Sequence, residues 1–173
     1  MQIHQMQLKY DINADRLLLQ VRTREAELYG VWLTRRMLSR LRPPFQKAVT
    51  RLGMARAAPQ SMPVPEARAM LEQAVRDRPL PNADFAQPFE TEGVSQPLGP
   101  EPLLPAEVDI RSLPTGGLSL NLRESRGRRL ELPLNDQLAT ALLRLLDQAL
   151  ASAEWGLPTA SAEAPTAPPG PLN

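Results

Sequence analysis

The sequence predicts an α+β fold made of two pseudo-symmetric units, each of three antiparallel strands followed by a helix, joined by a Pro-rich segment that contains one short helix. Three observations lead there. The apolar pattern of Leu17 to Leu52 recurs 101 residues on without a gap: Leu17, Leu19 and Val21 fall on Leu118, Leu120 and Leu122, and Tyr29, Val31 and Leu33 on Leu130, Leu132 and Leu134. The register survives the change from a period of two to a helical period, with Met37, Leu41, Phe45 and Val49 falling on Leu138, Leu142, Leu146 and Leu150. A pattern kept across both periods marks one structural unit written twice. Proline supplies the third observation: of 19 residues, ten lie between Ala57 and Pro105 and five follow Leu157, so the compact part is shorter than the 173-residue chain.

The first unit spans 1–56. Ile3 to Tyr10 alternates, with Met6, Leu8 and Tyr10 on one face, and Asp11 to Asp15 is a turn rich in Asp and Asn. Arg16 to Thr23 is the second strand, Arg24 to Ala26 the hairpin, and Glu27 to Leu33 the third strand. Leu17, Leu19 and Val21 face the core with Tyr29, Val31 and Leu33, which turns Leu18 and Trp32 outward. Thr34 is an N-cap for a helix whose stripe runs from Met37 to Leu52. Pro43 and Pro44 remove two donors inside it, which predicts a kink or a break into two helices.

Residues 57–105 form the connecting arm. A short helix is expected over 66–78, closed by Pro79 and Pro81, and Asn82 to Pro105, with Phe85, Phe89, Leu98, Leu103 and Leu104, is expected to lie over the core. The second unit, 106–156, repeats the first with strands over Glu107 to Ser112, Leu118 to Glu124 and Arg128 to Leu134, then a helix capped by Asn135 and apolar to about Trp155. Its opening turn is one residue shorter. The tail, 157–173, is Pro- and Ala-rich and is expected to be disordered.

One three-stranded sheet with a helix on one face is marginal alone, so the two units are expected to share a core around a pseudo-two-fold axis. No apolar run approaches the roughly 20 residues of a membrane span, and Met1 to Tyr10 lacks the layout of a signal peptide. The expected location is cytoplasmic. With no Cys there is neither disulfide nor thiolate nucleophile, and His4 is the only histidine. Ser119, Ser125 and Ser152 therefore have no histidine partner, and Thr115-Gly116-Gly117 lacks the frame of a phosphate loop. Asp11 with Asp15, and Glu101 near Glu107, are turn and loop carboxylates, read as structural. A non-enzymatic protein without cofactor or metal is expected.

Charge is uneven. Net charge is +1, but residues 1–56 carry +7, residues 57–105 carry −4 and residues 106–173 carry −2. On the first helix Arg36, Arg40, Lys47 and Arg51 fall within about 60° of one another at 100° per residue, away from the apolar stripe. Gln137, Ala141, Gln148 and Ser152 stand at the matching positions of the second. With Arg22, Arg24 and Trp32 on nearby strands, this face has cations for phosphates and a ring for a base, the parts of a single-stranded nucleic-acid site. A merely solvated helix face is the alternative. Outward Trp32 and Leu18 equally suit a homodimer interface, a protein partner or cover by the arm, so a protein-interaction or scaffold module is the second functional expectation.

The run Tyr10-Asp11 with Asp15-Arg16-Leu17-Leu18-Leu19, then Trp32-Leu33-Thr34-Arg35-Arg36, then Phe85, Phe89, Leu98 and Glu101-Pro102-Leu103-Leu104 resembles a family of uncharacterised proteobacterial proteins. That family has no assigned activity, so the resemblance implies no functional residue. In architecture alone, the twice-repeated sheet plus helix is similar to the Whirly family of single-stranded-DNA-binding proteins, whose units have four strands where three are counted here. What that similarity implies is a fold-level expectation of the same ligand class.

Overall fold

The computed structural model describes residues 1–57, 65–80 and 88–157, the side chain of Arg76 excepted. Strands β1 (Ile3–Asp11), β2 (Arg16–Thr23) and β3 (Leu28–Leu33) form one antiparallel meander, and β4 (Glu107–Leu113), β5 (Gly117–Arg123) and β6 (Arg129–Asn135) form a second. Helices α1 (Arg35–Ala57) and α3 (Asp136–Ala153) follow the two meanders, and α2 (Pro65–Asp77) lies between the units. The expected α+β architecture is therefore present, with two separate sheets.

The repeat extends to backbone detail. Thr23 N–H donates to Glu27 O at 2.9 Å in the first hairpin, and Glu124 N–H to Arg128 O at 2.9 Å in the second, 101 positions on. Ala26 and Gly127 both have positive φ, 56° and 93°, as do Asp15 and Gly116 in the preceding turns, 47° and 80°. Both caps form as the sequence implies: Thr34 Oγ1 accepts from Met37 N–H at 3.2 Å, and Asn135 Oδ1 from Leu138 N–H at 2.9 Å.

One core joins the units. Leu17, Leu19, Val21 and Val31 of the first sheet, Leu118, Leu120, Leu122, Leu132 and Leu134 of the second, Leu38 and Phe45 of α1, and Leu142 and Leu146 of α3 belong to a single buried cluster. Alternation places these residues on the inner faces, and burying a side chain of this kind contributes about 1.5–3 kcal/mol. The helices hold the units together: α1 packs on α3 and reaches β5 of the other sheet, while α3 packs on β1 as well as on β5 and β6.

The expected break at Pro43-Pro44 does not occur, since α1 is one helix from Arg35 to Ala57. Both prolines are exposed, so the Ser39 and Arg40 carbonyls that lose their helical donors lie on the outer side, where solvent replaces the bond. The buried side of α1 keeps its ladder.

The arm does lie over the core. Leu28 N–H donates to Ser95 O at 2.8 Å and Trp32 N–H to Leu103 O at 2.8 Å, while Leu103 N–H donates back to Gly30 O at 2.8 Å, so the arm pairs in parallel along the outer edge of β3. A Cβ on Gly30 would stand 3.3 Å from the Pro102 ring, which is why the arm can approach so closely there. Arg128 clamps the stretch between these two pairings: its Nη1 donates to Leu98 O at 3.1 Å and Glu101 O at 2.9 Å, and its Nε to Glu124 Oε2 at 2.7 Å. The guanidinium beside it holds the Glu124 carboxyl below the usual range. Phe85 lies outside the described residues, as does the tail beyond Leu157; Leu157 itself packs on the core rather than opening the tail.

Candidate functional site

The two helices meet their opposite strands differently, and this difference makes the site. α3 packs against β1, and the seam is shut by its C-terminal residues: Glu154 turns the chain with φ of 52°, and Trp155 folds back, 5% exposed. The Trp155 indole N–H donates to Asp15 Oδ1 at 2.7 Å, the Tyr10 hydroxyl donates to the same oxygen at 2.9 Å, and the two rings meet edge to face at 5.8 Å. Donation by Trp155 first, then by Tyr10, holds the Asp15 carboxyl below its ordinary range. Asp11 completes the turn by accepting from Asn13 and Ala14 N–H, both at 2.9 Å. These turn carboxylates are structural, as their spacing implied.

In the other half no described residue plays the part of that lock. Ser112, Gly116 and Met54 occupy the positions of Tyr10, Asp15 and Trp155, and between α1 and β4 lies a cleft of about 640 Å³. α1 contributes Arg36, Met37, Arg40, Leu41 and Pro44 to its walls. At the same positions α3 has Gln137, Leu138, Ala141, Leu142 and Leu145. Arg40 stands where α3 has Ala141 and Pro44 where it has Leu145, so the apolar surface that α1 turns to the cleft, Met37, Leu41 and Pro44, is flanked by Arg36 and Arg40.

The opposite wall comes from Pro105, Ala106, Val108, Asp109 and Ile110. Side chains of successive strand residues point to opposite faces, so a wall that includes Val108, Asp109 and Ile110 runs along the edge of β4. Among the described residues β4 pairs only with β5, leaving its other edge without a ladder. Asp109 is the only acid in the lining and is held 2.6 Å from the Arg123 guanidinium. The cleft is thus apolar at its centre and positive along α1.

No family model, curated protein or solved structure matches the chain.

The residues singled out from the sequence divide into three groups. Arg36 and Arg40 line the cleft; Lys47 and Arg51 continue the same exposed face of α1 beyond it, and none of the four forms an ion pair among the described residues. Arg22 is on the outer face of the first sheet, 2.7 Å from Glu90 of the arm, and Arg24 is exposed in the hairpin. Leu18 and Trp32 stand opposite each other on β2 and β3, both half-buried, and neither lines the cleft. The structure therefore brings together Arg36 and Arg40 with β4, and sets the Trp32 pair on a different surface.

Two charged groups escaped sequence reasoning. Arg42 is buried, its Nε 2.8 Å and Nη2 2.7 Å from Asp147 Oδ1, joining α1 to α3. Asp136, 1% exposed at the start of α3, receives Arg56 from α1 and Arg78 from the end of α2 on its Oδ2. Arg78 also donates to the Asp136 carbonyl and to Thr140 Oγ1. α2 is docked by this cluster and by the close approach of Val75 to Gly53, where an added Cβ would stand 2.2 Å from Val75 Cγ1. Arg42 carries a sequence signal, a cation on the apolar stripe of α1; the Asp136 cluster has none, because its members come from three helices.

Proposed function

We propose that the protein is a non-enzymatic protein-interaction module that docks its partner in the cleft between α1 and β4. One observation carries the reading: of two equivalent helix–strand seams, one is closed by Trp155 and the other, among the described residues, is open, with an unpaired strand edge and apolar and basic side chains facing it. The non-enzymatic part is supported by the side chains available. His4 is exposed near the N-terminus, the Ser119 hydroxyl is spent on Glu131 at 2.8 Å, and among the described residues no three His, Cys, Asp or Glu side chains converge as a metal site. No helix among the described residues is long and apolar enough to cross a membrane, and the lack of Cys fits a cytoplasmic setting.

The test is a photo-crosslinking side chain at Ala106, which is exposed and lines the cleft, with exposed Ile12 as the control position. The expected result in living cells is one dominant protein adduct at 106, identified by mass spectrometry and missing at 12. An adduct to a second copy of this chain would make the protein a homodimer through that face. Adducts to nucleic acid, or none, would refute the reading.

A second reading, single-stranded nucleic-acid binding, is favoured by the charge of α1. Its 23 residues carry seven Arg and Lys and no acid, and Lys47 and Arg51 stay exposed beyond the cleft. That row would track a phosphate backbone. Against it, the ring expected to stack a base, Trp32, does not line the cleft that Arg36 and Arg40 border. Anisotropy with a labelled oligothymidylate at two salt concentrations tests it, with saturable binding that weakens with salt as the expected outcome.

A further inference from the structure

We infer that the cleft receives an extended, acidic segment of a partner protein, which adds to β4 as a fourth strand; the inference rests on the interaction-module reading and names the kind of partner.

Strand addition follows from the β4 wall. An edge strand presents unpaired N–H and C=O groups at the spacing that another extended chain requires, and of β4 the stretch Val108 to Ile110 lines the cleft, about 10 Å at 3.4 Å per residue. The α1 wall stands where a peptide augmenting the sheet would turn every second side chain. Met37, Leu41 and Pro44 face that position and make a seat for an apolar residue. A helix beside a free strand edge gives both parts of such recognition, main-chain bonds for affinity and a pocket for alternate side chains.

Charge identifies the partner. Arg36 and Arg40 are exposed and form no ion pair among the described residues, while Asp109 is already matched by Arg123, so the cleft has two uncompensated cations. Arg36 also sits in the first turn of α1, whose dipole already favours negative charge. A carboxylate in the incoming segment would find all three. A nucleic acid would find the charges, but no aromatic ring lines the cleft to stack a base. A second copy of this chain offering its own β4 would bring Glu107 and Asp109 already tied to Arg123, and so would leave Arg36 and Arg40 unmatched.

The experiment uses the full chain and three fluorescein-labelled, end-capped octapeptides: alternating glutamate and valine; lysine in place of glutamate; and the first peptide N-methylated at alternate residues. The glutamate peptide should bind saturably, with amide shifts centred on 106–110. The lysine and N-methylated peptides should bind at least 10-fold more weakly, as should the glutamate peptide to the Arg36→Ala/Arg40→Ala variant, whose fold is safe because both side chains are exposed. Absence of binding, equal binding of the lysine peptide, or indifference to N-methylation would overturn the inference. So would an oligothymidylate that competes for 106–110, or a dimer in light scattering that buries this edge. A protein adduct at Ala106 together with peptide failure would leave the module standing and remove only the acidic strand; no protein adduct would remove both.

Discussion

The Arg42–Asp147 pair sets where α1 stands, and it can be taken apart using residues that the chain itself provides. Leu143 and Gln46 occupy the positions related to Arg42 and Asp147 by the repeat, so R42L and D147Q each insert the other unit's residue. Removing one member of a buried pair typically costs about 3–5 kcal/mol, because the other charge is left without compensation. Arg42 is 6% exposed, but Asp147 keeps 22% of its side-chain surface. Water can therefore offset part of the loss, which puts R42L near the lower end, about 3 kcal/mol. For a chain of this size that is roughly 6–12 °C in Tm. In R42L/D147Q no charge is left behind, and the expected stability returns to within about 1 kcal/mol of the parent. Urea unfolding of the four proteins closes the cycle: with each single variant costing about 3 kcal/mol or more and the double within about 1 kcal/mol of the parent, the coupling is about 5 kcal/mol or more. If the two single variants simply add, the pair carries no coupling and α1 is held by apolar packing alone.

Other expectations follow from the same geometry. Gly53→Ala drives a Cβ into Val75, and should cost about 1–3 kcal/mol and expose α2 to limited proteolysis; Val75→Ala in the same chain should restore much of the loss. Arg36→Glu removes a cation from the positive end of the helix dipole, so it should raise stability by about 0.3–1 kcal/mol while abolishing capture at Ala106, a separation of stability from function visible in one variant. Asp15, with its folded-state value depressed by Trp155 and Tyr10, contributes stability that is complete above the ordinary carboxylate value and lost as pH falls through the lower folded value. In a Trp32→Phe background, Trp155 fluorescence should therefore hold through neutral pH and shift to the red only below about pH 4, and Asp15→Asn should remove that acid limb. The two tyrosines offer an alkaline check. Burial, and then donation to Glu27, push Tyr29 up to about 12, and donation to Asp15 raises Tyr10. While the protein is folded Tyr29 should give no tyrosinate step near pH 10, and the Tyr10 step should fall to lower pH in Asp15→Asn; a full-amplitude step of both tyrosines at the ordinary value would refute both contacts.

Much of the fold could be read from the sequence because its signals are periodic and repeated. Leu17 to Val21 against Leu118 to Leu122 give strand, face and duplication together, and Thr34 and Asn135 give both helix starts. Of the kink or break expected at the double proline, the break fails for a physical reason: the rule that proline breaks a helix assumes that the freed carbonyls have no other partner, and exposure of Pro43 and Pro44 removes that assumption. The site was only half legible. Arg36 and Arg40 stood out as cations on one helix face, but the wall opposite them is about 70 residues away in the chain, and no local pattern announces an unpaired edge. Trp32 was grouped with them because strand and helix are adjacent in sequence, whereas the face of β3 it occupies is not the one that α1 leaves open.

The arm explains why one edge is free and another is not. β3 would also end in an unpaired edge, but Ser95 and Leu103 pair with it, and Arg128 fixes the arm from the second sheet. The described part of the connecting segment thus lies along the edge of the first sheet before the chain enters β4 through Pro105 and Ala106, and among the described residues none pairs with the free edge of the second. Edges left open are liabilities that proteins usually blunt with charge, proline or cover. Here the neighbouring side chains are Arg36, Arg40, Pro44 and Pro105, and on the proposed reading their charge would disfavour a basic strand and favour an acidic one. Duplication supplied two equal seams; Trp155 closed one, and the same devices that guard the other against indiscriminate pairing define what it would accept.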